Sequence, residues 1–408
     1  MSATSRRRSA LAAAAVAAAL AVTAAACGPA EDESGAQAGP SATAPDGEGR
    51  PGIDGLRLPE ELPAALKDFD PEKWKNGEWR DWDKDDWLRE ARDFVNPIIE
   101  GLWDPERMKD AEENDRRVDS DVDGGGTGGG NGGEGDEGVT DPDPAPRKAR
   151  PVATPYRENA PAVGKVFMDT PKGPMVCSGT VVEDPRSPGK SNLVATAGHC
   201  VHAGSAGGWF RNVVFVPAYN DSALRVSELE QASPTDVAPH GVFWATWAQT
   251  TEHWISNGSE TGGLGASQDF AVLRVEAEDK SGKSLEETVG TAVPVDFGKP
   301  SVASLSSVRA YGYPAAPPFD GLTMHTCTDR PGRLTLSESE STMYRIGCTM
   351  TGGSSGGGWF AGEGSGERTL VSVTSIGTID HTWLAGPRLG EEAEGVLEGV
   401  SEKFAGED

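Results

Sequence analysis

The sequence lacks the closely spaced cysteine and histidine pairs that build most structural metal sites. Its 408 residues include five cysteines and six histidines, but no Cys-x-x-Cys or His-x-x-x-His pattern. Zinc in proteins is usually held by such pairs. We therefore expect neither a metal centre nor a cofactor.

Basic residues and long apolar runs are also scarce. Lys and Arg number 37 against 64 Asp and Glu, which gives a formal net charge of −27. Such a chain would repel phosphates, so we expect no nucleic-acid partner. The only long uncharged, apolar run is residues 9–26. No other stretch is long and apolar enough to predict a membrane span.

The N-terminus has the pattern of an export signal. Arg6-Arg7-Arg8 precede the Ala-rich run, which ends in Ala24-Ala25-Ala26-Cys27. A positive region, an apolar core and small residues at the cut predict a signal peptide over residues 1–27. Cys27 after small residues resembles a bacterial lipobox, which implies lipidation and a membrane anchor. Ordinary cleavage after Ala26, giving a secreted protein with a free thiol, is the alternative.

Two stretches have the composition of linkers. Residues 28–58 are rich in Gly, Pro, Ala and acids, and residues 118–155 contain a Gly-rich run followed by Asp-Pro repeats. Residues 28–150 carry 33 acidic and 16 basic side chains, a net of −17. Such sequence buries too little apolar surface to order itself, so it predicts disordered acidic tethers.

Between the linkers, residues 59–117 form a Trp-rich segment with helical spacing. Trp87, Ala91 and Val95 would share one helix face. Asn96 and Pro97 have the pattern of the N-cap and first residue of a second helix. The segment could bind a partner, which the sequence does not identify, or act as a prosegment. The simpler interpretation, which the short length of the segment favours, is a helical spacer packed against itself or the following domain. Five of the eleven tryptophans lie here, namely Trp74, Trp79, Trp82, Trp87 and Trp103.

Three short motifs further along the chain suggest acyl-transfer chemistry. His199 ends Thr-Ala-Gly-His-Cys, Asp269 directly precedes the strand-like run Phe-Ala-Val-Leu, and Ser355 lies in Gly-Gly-Ser-Ser-Gly-Gly. A serine among glycines can present backbone N–H groups to a substrate carbonyl. A histidine can take the serine proton while a buried aspartate orients the imidazole. Together the motifs predict a His-Asp-Ser triad.

At these points the chain resembles the trypsin-like, chymotrypsin-fold serine peptidases. Lys165-Val166-Phe167, Phe215-Val216-Pro217 and Tyr311-Gly312-Tyr313-Pro314 extend the resemblance over roughly residues 160–390, toward the bacterial V8-like and actinobacterial secreted branch. The family implies an all-β domain, placed here at 156–408, with two antiparallel β-barrels. It implies His199 and Asp269 from the first barrel, Ser355 from the second, and protein or peptide substrates.

The resemblance also assigns finer roles. It implies an oxyanion hole formed by the N–H groups of Gly353 and Ser355, and a substrate pocket with Thr349, Ser375 and Gly377. It implies one disulfide between Cys177 and Cys200, on either side of the histidine loop. Cys327 and Cys348 would form a second before the nucleophile. Two bridges indicate an oxidising compartment, and Cys27 is then left over.

Some positions depart from the family pattern. Ser354 stands where vertebrate relatives place an aspartate that pairs with a newly cut N-terminus, so that activation switch is not expected. Thr349 stands where trypsins place an aspartate, so Arg or Lys at P1 is not expected because the cation would be buried unpaired. The leading interpretation is an extracytoplasmic serine endopeptidase. The alternative is a catalytically silent surface-binding relative.

Overall fold

The computed structural model describes residues 56–57, 94, 96, 98–119, 135–362 and 368–406. The predicted signal peptide, with Cys27, and most of the linker 28–58 lie outside these residues. Of the Trp-rich segment only the end is described, with Trp103. The predicted Trp87 helix therefore lies outside the described residues.

The residues before the barrels form short elements that pair with them. In chain order the elements are β1 Leu56–Arg57, β2 Ile98–Ile99, α1 Pro105–Asp110, β3 Glu112–Glu113, β4 Arg117–Val118 and β5 Arg150–Pro151. Asp104 caps α1 by accepting from the N–H of Arg107 at 2.8 Å.

The prediction that Asn96 caps a helix is wrong. Its amide donates to the carbonyls of Val213 and Ala245, at 2.8 and 2.9 Å, and accepts from the N–H of Val213. The chain then continues into β2, which pairs with β1. The local Asn-Pro signal is overridden because these three bonds fix Asn96 against distant strands. The side chain is buried there.

The first barrel is closed by six antiparallel strands rich in β-branched residues. The strands follow the order β7-β6-β9-β10-β11-β8, and β7 also pairs with β8. β3 joins β7 in parallel at the edge. The elements of this half are α2 Tyr156–Asn159, β6 Val163–Thr170, β7 Gly173–Val182, β8 Leu193–Thr196, β9 Arg211–Pro217, α3 Val226–Leu229, α4 Pro234–Val237, β10 Phe243–Thr250, α5 Glu252–Asn257, β11 Ala271–Ala277 and α6 Leu285–Val289.

The second half consists of two five-stranded sheets. One has the order β17-β16-β12-β13-β5 and the other β14-β15-β19-β18-β4. The elements are β12 Val308–Gly312, β13 His325–Asp329, β14 Gly332–Leu334, β15 Met343–Gly347, β16 Gly358–Ala361, β17 Thr369–Val373, β18 Ile376–Thr378, β19 Trp383–Gly386 and α7 Glu391–Lys403. α7 returns to the first barrel and packs on β10 and β11. This confirms the expected all-β, two-barrel architecture.

Residues 135–151, which the sequence assigns to a linker, lie along the second half of the molecule. Asp141 and Asp143 pair with Arg333 and Arg345 at 2.7 and 2.6 Å. β5 adds to the edge of β13. The acidic residues of this stretch therefore neutralise barrel arginines, and this part of the expected tether is packed structure.

Among the helices of the described ranges, none combines the length and apolar character that crossing a bilayer requires.

Candidate active site

His199 is held at the end of a buried strand. β8 ends at Thr196, and residues Gly198–Cys200 form one turn of 3₁₀ helix. Gly198 has no room for a side chain, because a Cβ there would lie 2.6 Å from Thr250 Oγ1 and 2.8 Å from the Trp254 ring. The disulfide from Cys200 to Cys177 ties the turn to β7. The imidazole is therefore fixed in position and almost fully buried.

Asp269 is completely buried two residues before β11 and contacts His199 twice. One carboxylate oxygen accepts from the His199 backbone N–H at 2.8 Å, and the other lies 2.7 Å from Nδ1. A carboxylate only accepts, so Nδ1 carries a proton, and in the neutral imidazole Nε2 keeps its lone pair. The Nε2 atom has no hydrogen-bond partner among the described residues. This leaves it able to accept a proton from a hydroxyl group.

Two further groups complete the surroundings of Asp269. Ser375 donates its hydroxyl to the carboxylate at 2.5 Å, and the Arg116 guanidinium lies 3.3 Å away. Burial alone would raise the pKa of Asp269, but His199, Arg116 and Ser375 together hold that pKa below its ordinary value. The carboxylate is therefore ionised at neutral pH and can stabilise a positive charge on the imidazole.

Ser355 and Ser354 have different surroundings although both are buried. The Ser354 hydroxyl donates to the carbonyl of Thr351 at 2.7 Å, which directs this hydroxyl toward the protein interior. No such bond holds the Ser355 hydroxyl within the described residues. Gly353 precedes the pair at φ +90°, where a Cβ would lie 2.6 Å from the carbonyl of Tyr313. Only glycine is therefore compatible with this turn.

The backbone N–H groups of Gly353 and Ser355 make no hydrogen bond to any residue the structure describes. Unpaired buried donors are rare, and a pair of them two residues apart is the arrangement that binds a developing oxyanion. The oxyanion hole that the family resemblance implies at these two residues stays a prediction.

The predicted pocket residues have three separate environments. Thr349 bonds to the packed stretch before β5, accepting from the N–H of Ala149 at 2.9 Å. Ser375 bonds to Asp269, as described above. Gly377 lies in β18, and its N–H donates to the carbonyl of Arg116 at 3.2 Å. The structure thus places Ser375 beside Asp269, while Thr349 and Gly377 pair with segments that precede the barrels.

A sulfur–nitrogen cluster next to His199 is not suited to metal binding. The sulfurs of Cys177 and Cys200 and a ring nitrogen of His199 lie within 4.8 Å of one another. Because the two sulfurs are joined in the disulfide, neither is available as a thiolate ligand.

Sequence reasoning missed Arg116. Its guanidinium is 2% exposed and lies over the Trp254 ring at 4.6 Å. It donates to the carbonyls of Ser259, Gly262 and Leu264 at 2.8–3.0 Å. Burial lowers the pKa of Arg116, and the charge of Asp269 opposes that effect. No local motif marks this residue, because the groups that its guanidinium contacts all lie more than 130 positions away.

The family model described as a trypsin-like peptidase domain matches residues 177–365. His199, Asp269, Ser355 and both disulfides lie within that range. A solved thermostable serine protease, AL20 from an extremophilic microorganism, is 34% identical in sequence, and the match covers 98% of its chain and 60% of this one, with a TM-score of 0.49. The chain belongs to the trypsin-like peptidases.

Further solved structures match at lower identity. The protease Anisep from Arthrobacter nicotinovorans is 28% identical, with 62% of this chain and 99% of that chain covered and a TM-score of 0.49. A Glu endopeptidase is 16% identical, with 65% and 100% covered and a TM-score of 0.44. A comparison with curated protein sequences finds no significant match.

Proposed function

We propose that this trypsin-like peptidase is an active serine endopeptidase that cleaves peptide bonds through an acyl-enzyme. The observation that carries the proposal is the buried Asp269–His199 pair with an unpaired Nε2. Ser355 would attack the substrate carbonyl while Nε2 takes its proton, and Asp269 would stabilise the resulting imidazolium. The free N–H groups of Gly353 and Ser355 would bind the oxyanion. His199 would then protonate the leaving amine, and water would hydrolyse the ester.

A fluorophosphonate probe tests the assignment because it reacts with activated serines. The full chain should be labelled at one residue, and Ser355→Ala should abolish labelling even after long incubation. Removing a nucleophile of this kind costs on the order of 10⁶ in kcat. Ser354→Ala is the matched control, because its hydroxyl is bonded to Thr351, and it should still be labelled. Label on Ser354, or none on the wild-type protein, would favour the silent binding relative.

We further propose that substrates carry an uncharged residue at P1. Thr349 supplies no carboxylate, and its hydroxyl is already bonded to the backbone of Ala149. A buried Arg or Lys side chain would therefore lack a counter-charge. Cleavage of a peptide library, read by mass spectrometry, should show few cuts after Arg or Lys. A dominant cut after either residue would contradict the proposal.

The proposed location is outside the cytoplasm. Two disulfides support it, since such bonds persist in oxidising compartments. The signal-like N-terminus and Cys27 support export with a lipid anchor at the outer face of the cytoplasmic membrane, or secretion if Cys27 is not modified.

A further inference from the structure

Residues 113–118, here called the cleft strap, connect the two halves of the molecule. β3 ends at Glu113 and extends the first-barrel sheet beside β7. β4, at the other end of the strap, extends a sheet of the second half beside β18. The strap therefore passes from one half to the other at the level of His199. There the side chain of Asn114 donates to the His199 carbonyl at 2.7 Å.

The strap pairs with the edge of β18 that β19 leaves open. One edge of β18 pairs with β19, and the other pairs with β4 in parallel. The N–H of Gly377 donates to the carbonyl of Arg116 at 3.2 Å, and that of Ile379 donates to Val118 at 3.1 Å. Extended peptides commonly bind by adding a strand to an exposed sheet edge. In this structure the N–H groups of Gly377 and Ile379 already donate to the strap.

The strap also lies over the nucleophile loop. A Cβ on Gly352, three residues before Ser355, would lie 2.6 Å from Cγ of Glu113 and 2.6 Å from Cβ of Asp115. Val118 is buried among Ile376, Trp383 and other apolar side chains of the second half. Contacts at both ends therefore hold the strap against the surface that a substrate would need.

Arg116 adds an electrostatic effect on the triad residues. Its guanidinium is 3.3 Å from the carboxylate that accepts from His199. During acyl transfer the imidazole becomes positively charged. A second cation beside the same carboxylate opposes that change. The strap thus places an opposing charge where the proposed base must gain a proton.

The chain before the strap is fixed to the first barrel. Trp103 donates its indole N–H to the carbonyl of Asn212 at 2.7 Å. Arg107 forms a two-point ion pair with Asp169 at 2.6 and 2.8 Å. These contacts keep the strap close to its binding edge and raise its local concentration there.

We infer that the cleft strap is an autoinhibitory segment that peptide substrates must displace from β18. The inference rests on the proposed peptidase function, because it assigns regulation to the same site. The strap runs parallel to β18, holds its Arg116 against Asp269 and covers Gly352. A peptide substrate and the strap therefore compete for the Gly377 and Ile379 donors.

The test compares two substrates on full-length variants. An extended fluorogenic peptide needs the β18 edge, whereas p-nitrophenyl acetate needs only the proposed triad and oxyanion hole. Arg116→Ala removes the buried cation, and Val118→Ser weakens the apolar anchor. Arg117→Ala is the matched control, because this arginine pairs only with Glu113 and Asp115 among the described residues.

We expect each strap variant to raise kcat/KM for the peptide, relative to that for the ester, at least about tenfold. This is the increase expected if the strap leaves the β18 edge open in about a tenth of the wild-type molecules or fewer. Arg117→Ala should change that ratio less than about threefold. In a Ser355→Ala background, amide hydrogen exchange at Gly377 and Ile379 should also accelerate in both strap variants. This readout does not depend on catalysis.

Other outcomes separate the two proposals. Peptide and ester rates that both fall in Arg116→Ala would make Arg116 a positioning residue that supports Asp269, and would overturn autoinhibition. Unchanged peptide rates and unchanged exchange would overturn it as well. Ester turnover absent from every variant that folds, with no label on Ser355, would reject the peptidase function itself and the inference with it.

Discussion

Lys165 and Arg116 are both buried cations, but among the described residues only Arg116 has a carboxylate in direct contact. The Lys165 ammonium donates to the carbonyl of Gly321 at 2.8 Å. It also lies over the rings of Phe167 and Tyr219, 5.0 and 4.8 Å from their centroids. Burial lowers the pKa of Lys165 to about 7, with Asp320 opposing the effect. The folded protein therefore binds this proton less tightly than the unfolded chain does.

The lowered pKa makes stability depend on pH in a defined direction. Below about pH 7 the lysine is charged in both states, and the folded state carries the full cost of burying the ion. Between that pH and the ordinary value of 10.5 the unfolded chain binds more protons, so the free energy of unfolding rises with pH. Lys165→Met should raise the free energy of unfolding at pH 6 by about 1–4 kcal/mol.

Urea unfolding at several pH values between 6 and 9.5 measures this effect. The gain from Lys165→Met should shrink as the pH rises, because the wild-type lysine becomes neutral. Lys172→Met is the control, since Lys172 is largely exposed and makes one ion pair with Glu260, and it should leave the pH profile unchanged. Parallel pH profiles for Lys165→Met and the wild type would show that the buried lysine does not set the slope.

At the scale of secondary-structure elements, the two disulfides close loops of similar length but support different parts of the fold. They close loops of 23 and 21 residues. Cys177–Cys200 joins β7 to the turn that carries His199. Cys327–Cys348 joins β13 to the end of β15 and so links the two sheets of the second half. Similar loop lengths predict similar contributions to stability.

Removing either disulfide should therefore cost about 3 kcal/mol of unfolding free energy, while only one removal should affect the triad residues. In the double variant Cys177→Ala, Cys200→Ala, the His199 turn loses its covalent tie, so fluorophosphonate labelling should slow. The double variant Cys327→Ala, Cys348→Ala should be labelled at the wild-type rate. Urea unfolding and labelling kinetics measure the two effects separately. Equal slowing in both variants would show that the first disulfide has no specific role in holding His199.

The sequence allowed the triad candidates and both disulfides to be predicted, because each lies in a local motif that the family shares. The strap was not predictable in the same way. β3 and β4 are two residues long, too short for a periodic pattern. Their partners, β7 and β18, lie about 60 and 260 positions further along the chain. Asn96 shows the same limit, since its three bonds to the first barrel outweigh a helix-capping signal.

At the scale of the whole molecule, the region between the signal-like N-terminus and the peptidase domain is strongly acidic. Residues 28–150 have a net charge of −17, and residues 1–27 carry three arginines and no acidic residue. Four of the five cysteines pair within the described residues. Cys27, at the predicted signal-peptide cut, lies outside them and is the fifth. These features together are the basis for proposing that Cys27 carries lipid.

If lipid on Cys27 anchors the protein, Cys27→Ala should move it from the membrane fraction to the medium. Stable anchoring needs two or more acyl chains, because a single chain gives only marginal, reversible binding. The variant should keep both disulfides and its rate of fluorophosphonate labelling, since Cys27 belongs to neither disulfide. Ser34→Ala, in the same N-terminal region, is the control and should remain with the membrane. Fractionation and mass spectrometry of the mature N-terminus measure the outcome. A wild-type protein found wholly in the medium, with an unmodified N-terminus at or near Cys27, would instead establish ordinary secretion, and the acidic stretch would then have no anchor to tether.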